Sequence, residues 1–154
     1  MSHALDVPAG FTPWPALPGF VQINGPLYQR TERGVYQLGF RVEARHCNPM
    51  QICHGGMMAT FCDMVLPLGA HAQSDAARGR FLPTVSLQID YLAPASLGAW
   101  VQGETQLLRA TRTMVFAQAL VTADGQPVAR ASGILKIGLP FDDLRLRATA
   151  GSSP

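Results

Sequence analysis

Hydrophobic positions change their spacing twice along this chain, and each change marks a different element. Over residues 84–92 the period is two: Val85, Leu87, Ile89 and Tyr91 fall on one face, Thr84, Ser86, Gln88 and Asp90 on the other. Three further runs, 100–109, 113–122 and 127–137, read as strands, and Asp124-Gly125 supplies a hairpin turn between the last two. Upstream, residues 34–43 read as a strand, preceded by one over 20–28 that breaks at Gly25-Pro26. Residues 45–53, with Asn48-Pro49, form a loop.

Residues 54–72 are the one segment that fits a substantial helix. Met57, Met58, Phe61, Val65 and Leu68 recur at steps of three and four, and much of the opposite face is apolar too. Such a helix is buried by protein. Pro67 leaves the Asp63 carbonyl without its helical donor, which predicts a kink or an early end. One helix flanked by five or six strands, the last four in meander order, gives an α+β domain with an antiparallel sheet covering a central helix. Residues 1–19 read as an irregular arm whose Phe11 and Trp14 dock on the body, 20–140 as a single domain, and 141–154 as a loose tail. The outer face of the sheet needs a polar coat or a partner subunit, and Trp100 points to an oligomer contact.

Composition narrows the function classes. A chain of 154 residues, 47% apolar and 14% charged, suits one globular domain. Its net charge of +2 is scattered, without the basic cluster that nucleic-acid binding requires. Residues 7–29 lack charge but contain five prolines, so no spanning helix is expected there, and the N-terminus lacks the pattern of a secretory leader. The three cysteines, Cys47, Cys53 and Cys62, cannot all pair with one another; reduced thiols and a cytoplasmic location follow. His46, Cys47, Cys53, His54 and Cys62 match no usual zinc spacing, and neither metal nor cofactor is expected.

Candidate chemistry concentrates around the helix. In His54-Gly55-Gly56, glycines at the first turn admit a ligand to free backbone N–H groups, where the helix dipole stabilises developing negative charge. The alternative is a tight loop-to-helix junction. Asp63 lies inside an otherwise apolar helix, either functional or in an ion pair with an arginine. Gly55 and Asp63 are eight residues apart, roughly 12 Å along one helix axis. A reacting carbonyl must lie near 3 Å from both its donor and its attacking group. If both act on one substrate, they come from two subunits meeting across a two-fold axis. Cys53 beside His54 reads as an inert thiol. Thr84 or Ser86 can orient water, and Arg109 and Arg112, flanking a turn with Thr111 and Thr113, can hold phosphates or simply be solvated.

Asn48, then His54-Gly55-Gly56, then Asp63 together resemble the signature of hotdog-fold acyl-CoA thioesterases, in the phenylacetic-acid-pathway group that includes the thioesterase superfamily member 2 proteins. The similarity runs over residues 35–137 and takes in Asp90-Tyr91-Leu92-Ala93-Pro94-Ala95 and the Asp124-Gly125 hairpin. It implies a long helix wrapped by an antiparallel sheet, assembled as homodimers and tetramers, that hydrolyses acyl-CoA without a cofactor. Carried over, Asp63 is the base or nucleophile, Gly55 N–H the oxyanion donor, Asn48 and His54 positioning groups, and Thr84, with Ser86 as fallback, the water-orienting hydroxyl. Gly56, Met57, Met58 and Phe61 would contact the acyl group, and Arg109 and Arg112 the CoA phosphates. Two departures stand out: Gln51 replaces a glycine common in the group, and the phosphate turn reads Arg109-Ala110-Thr111-Arg112, without glycine. Gln51 keeps a non-catalytic acyl-CoA-binding module as the alternative. A hotdog dehydratase ranks lower, because the Phe-Pro-Gly loop of those enzymes is absent.

Overall fold

The structure is a computed structural model that describes residues 6–144. Its elements, in chain order, are β1 (Thr12–Pro13), α1 (Phe20–Asn24), β2 (Tyr28–Glu32), β3 (Val35–Arg41), a 3-10 turn (Ala44–His46), α2 (Gly55–Gln73), β4 (Thr84–Tyr91), β5 (Trp100–Ala110), β6 (Met114–Ala123) and β7 (Gln126–Lys136). The strands form one antiparallel sheet in the order β1-β2-β3-β5-β6-β7-β4. Its concave face holds α2. Phe61, Cys62, Val65, Leu66 and Ala70 of the helix are fully buried against Leu38 and Phe40 of β3, Val101 of β5, Val121 of β6 and Leu135 of β7. At the β6–β7 turn, Asp124 and Gly125 take φ of 46° and 83°, the left-handed pair that matches the twist of the flanking strands.

Four local expectations are corrected. Residues 20–24 form a helix, not a strand. The sequence Phe-Val-Gln-Ile-Asn is too short for apolar spacing to separate the two states, and Gly19, at φ 137°, turns the chain into the helical start. Gly25-Pro26 then ends it, and the strand begins only at Tyr28. The arm includes a short strand, because Thr12 and Pro13 pair with Gln29 and Tyr28.

Of the kink or early end expected at Pro67, the early end is corrected, because α2 continues to Gln73. Positions 56, 60, 63 and 67 share one face of the helix, so the hydrogen bond that Pro67 removes from the Asp63 carbonyl lies on the open side. Burial of Leu66, Gly69 and Ala70 on the other side carries the helix onward. Finally, Trp100 is covered by its own chain. Phe11 meets its ring edge-on at 5.0 Å, Tyr28 lies at 5.8 Å, and the Arg41 guanidinium sits over it at 5.3 Å. Trp100 therefore supplies no argument for a partner. The tail expected over 141–154 begins with a helical turn at 141–144, and the rest lies outside the described residues.

Candidate active site

The site begins where the loop after β3 enters α2. His54 is the N-cap, and its Nδ1 accepts the Gly56 N–H at 2.8 Å, which places the proton of the neutral ring on Nε2. A Cβ on Gly56 would stand 3.0 Å from that same nitrogen, so this glycine is explained by the cap. Gly55 is different. The atoms nearest to a Cβ there would be those of the Tyr91 ring and hydroxyl at 3.5 Å, an ordinary contact, and the Gly55 N–H has no hydrogen-bond partner among the described residues. The Tyr91 hydroxyl donates to the Gly55 carbonyl at 2.9 Å and fixes the first turn from β4.

The loop itself is braced. Asn48 Oδ1 accepts the Met50 N–H at 2.9 Å, and the Asn48 N–H donates to the Ile52 carbonyl at 3.0 Å. The Cys53 and Leu97 N–H groups donate to the Ala95 and Gln51 carbonyls, tying the loop to the segment after β4. Buried His46 accepts the Glu43 N–H through Nδ1 at 3.0 Å and donates from Nε2 to the Asn24 carbonyl at 2.9 Å. Burial and the neighbouring Arg45 charge lower its pKa below the usual imidazole value, in keeping with that neutral tautomer.

Gln51 stands in this loop at φ 57°, a conformation in which a Cβ is strained by about 1 kcal/mol or more and glycine is not. The side chain is exposed, so nothing in packing offsets that strain. Gln51→Gly is expected to stabilise the protein by about 1 kcal/mol, a rise in Tm of about 2–4 °C at this size. Thermal melts check it, and an unchanged or lower Tm would mean that the Gln51 side chain contributes an offsetting contact.

Two turns further along α2, the exposed Asp63 carboxylate accepts a hydrogen bond from Thr84 Oγ1 at 2.7 Å. Simple alternation puts Thr84 on the outer face of β4 with Ser86. A bulge reverses it: Thr84 pairs with Leu135 and Ser86 with Ile134, leaving Val85 as the extra residue and turning Thr84 back towards the helix. Ser86 stays outside. The ion pairs among the described residues are Arg30–Glu32, Arg45–Glu43, Arg78–Asp75 and Arg130–Asp90, and none involves Asp63. Asp63 opens onto a cleft of ≈ 370 Å³ lined by Gly56, Ala59, Thr60 and Met64 of α2, Leu87 of β4, and Phe20 and Val21 of α1.

The structure thus brings Asp63 and Thr84 together, and groups His54, Gly55 and Gly56 at the helix start. It does not join the two sets within one chain, because Gly55 and Asp63 lie on one continuous helix. Asn48 spends its amide oxygen on its own loop. Met57, Met58 and Phe61 lie in the hydrophobic core, not on the cleft. Their stripe is the one the sheet covers, and the cleft runs along the face of smaller and polar residues. Arg109 and Arg112 are exposed at the β5–β6 hairpin, where Thr111 Oγ1 accepts the Met114 N–H at 3.0 Å. Three strand spacings, about 14 Å, separate Ala110 from Thr84 across the sheet. Burial pushes the Cys53 thiol up to about 11 and the Cys62 thiol up to about 12, far from a reactive thiolate.

Several residues that shape the site escape sequence reasoning: Phe20, Val21, Leu87, Tyr91 and His46. Tyr91 had one usable signal, its shared phase with Leu87 and Ile89 on β4. Leu87 shares that signal, and Phe20, Val21 and His46 depend on long-range placement. No helix among the described residues is long and apolar enough to cross a membrane.

A family model, the thioesterase superfamily, matches residues 50–129, just over half of the chain. A provisionally named esterase of Pseudomonas aeruginosa is 26% identical over 134 residues, covering 86% of this chain and 98% of that protein. Acyl-coenzyme A thioesterase 13 of Mus musculus is 28% identical over 82 residues, 53% of this chain and 56% of that one. The crystal structure of zebrafish thioesterase superfamily member 2 superposes with a TM-score of 0.69 at 28% identity, covering 79% of this chain and 88% of that chain. With its single long helix wrapped by an antiparallel sheet, the chain has the hotdog fold and belongs to the thioesterase superfamily.

Proposed function

We propose that this protein is an acyl-CoA thioesterase: water and a CoA thioester give a carboxylic acid and the free CoA thiol. The observation that carries this reading is the Asp63–Thr84 pair, hydrogen-bonded at 2.7 Å and open to a cleft. Thr84 donates to Oδ1 and leaves Oδ2 to take a proton from water or to attack the carbonyl carbon. The Thr84 oxygen keeps its lone pairs and can hold the same water by accepting from it. The oxyanion of the tetrahedral intermediate falls to the Gly55 N–H, preorganised at the positive end of α2. In the base route the tetrahedral intermediate collapses with cleavage of the C–S bond, and Asp63 returns to the thiolate the proton it took from water. In the nucleophile route the thiolate leaves first, and water then hydrolyses the acyl–Asp63 anhydride, freeing the acid and supplying the proton.

One helix places Gly55 and Asp63 about 12 Å apart, so the working site combines Asp63 of one subunit with Gly55 of its partner in a dimer. The test mixes two inactive subunits. Asp63→Asn removes the base. Gly55→Pro removes the N–H at the first helical position, where proline is favoured, and the preceding His54, at φ −60° and ψ 137°, already has the conformation that proline demands. Each homodimer is expected to be inactive in thiol release. Random mixing makes half of the dimers mixed, each with one intact site, so activity returns to about a quarter of wild type. Mixed dimers that demonstrably form and stay inactive would overturn the composite site.

A further inference from the structure

We propose that α1 is the selectivity wall of this site, with Phe20 and Val21 bounding the pocket for an uncharged, apolar acyl group. The inference rests on the acyl-CoA reading above. Along the cleft, polar character is confined to Gly56, Thr60 and Asp63 on α2, and the remaining lining is Phe20, Val21, Ala59, Met64 and Leu87. A thioester carbonyl beside Asp63 therefore places its acyl tail against apolar side chains. Among the described residues neither lysine nor arginine lines the cleft, so an acyl group ending in a carboxylate would meet Asp63 with no counter-ion there and bind poorly.

The wall is held by specific bonds, not by its own helicity. A five-residue helix is unstable in isolation. Its last carbonyls are instead captured by two adjacent residues of the site loop. Arg45 Nη1 donates to the Ile23 carbonyl at 2.6 Å and Nη2 to the Gly25 carbonyl, while His46 Nε2 donates to the Asn24 carbonyl at 2.9 Å. The His46 carbonyl in turn accepts the His54 N–H at 2.8 Å, at the cap of α2. The residues that seat the oxyanion donor thus also seat the wall. Val21 packs against the hydrophobic core, and Phe20 is 66% exposed at the cleft rim. Shortening either side chain lengthens the pocket without disturbing Asp63.

The experiment measures kcat/KM for straight-chain acyl-CoA thioesters of increasing length, plus succinyl-CoA, with wild type, Phe20→Ala, Phe20→Leu, Val21→Ala and Leu17→Ala. Leu17 is exposed on the same arm but does not line the cleft. Phe20→Ala and Val21→Ala are expected to raise the long-to-short ratio of kcat/KM about tenfold, the scale of discrimination by one or two methylenes. Phe20→Leu should fall between, and Leu17→Ala should keep the wild-type ratio. Ratios within twofold of wild type in both alanine variants would overturn the wall. Succinyl-CoA hydrolysed as well as butyryl-CoA would overturn the uncharged class. If wild type releases no thiol at all, the hydrolase reading fails separately. The shift in Tm induced by the same thioesters, now unhydrolysed, then tests the wall by the same change in order, and an unchanged order would overturn it.

Discussion

Asp63→Asn is expected to lower kcat on CoA thioesters by about two orders of magnitude or more, with KM changed only a few-fold, as for loss of an acid–base group that acts in the transition state. Asparagine keeps the shape of aspartate and an oxygen to accept the Thr84 hydroxyl, so the 2.7 Å contact survives in outline. What disappears is the basic oxygen facing the cleft. Because Asp63 is exposed and takes part in none of the ion pairs of the described residues, stability should change by less than about 1 kcal/mol. Stabilisation by bound acyl-CoA should persist, separating lost chemistry from lost binding. Thiol release at saturating substrate decides the matter. Turnover equal to wild type would remove Asp63 from the reaction and leave the chemistry to another group.

Much of this arrangement is legible in the sequence wherever periodicity is long. Over 84–137 the period of two places four strands to within about a residue at their ends, and α2 begins one residue after the His54 that caps it. The apolar stripe of α2 identifies its packed face correctly, and for that reason says nothing of the cleft beside Asp63. A stripe reports where protein fills space, whereas a cleft is space that small side chains such as Gly56 and Ala59 leave open. Thr84 is similar: strict alternation sends it outward, and only the bulge at Val85, set by pairing with β7, turns it to Asp63. Helix α1 is least legible of all, since five residues carry too little pattern and its position depends on Arg45 and His46, some twenty residues away. Local chemistry singles out Asp63 and the start of α2; the cleft beside Asp63 is a product of tertiary placement.

The largest effect on stability is expected from Gly69→Ala, at the point where α2 touches the sheet most closely. A Cβ on Gly69 would fall 2.3 Å from Cβ and 2.5 Å from Oγ1 of Thr105 on β5, both far inside contact distance. Neither neighbour yields easily. Thr105 is buried, its Cβ is fixed to the backbone of a central strand, and its hydroxyl donates to the Val65 carbonyl at 2.7 Å. Relief requires the helix to back away from the sheet, at a cost of about 1–3 kcal/mol for overpacking, with loss of the buried hydrogen bond adding a comparable term. A total near 3 kcal/mol corresponds to a fall in Tm of about 6–12 °C at this size. Thr105→Gly removes the obstructing Cβ, so in that background Gly69→Ala should cost about 1 kcal/mol less than in wild type. Thr105→Ala, which removes Oγ1 and its hydrogen bond but keeps the nearer Cβ, should give only part of that relief. A Gly69→Ala protein melting within a degree of wild type would mean that the helix has room to spare. The same substitution lies a turn and a half beyond Asp63 on α2, so a forced retreat of the helix should also lengthen the Asp63–Thr84 contact and lower kcat in the fraction that remains folded. Stability and turnover then fall together in Gly69→Ala, whereas in Asp63→Asn turnover falls alone.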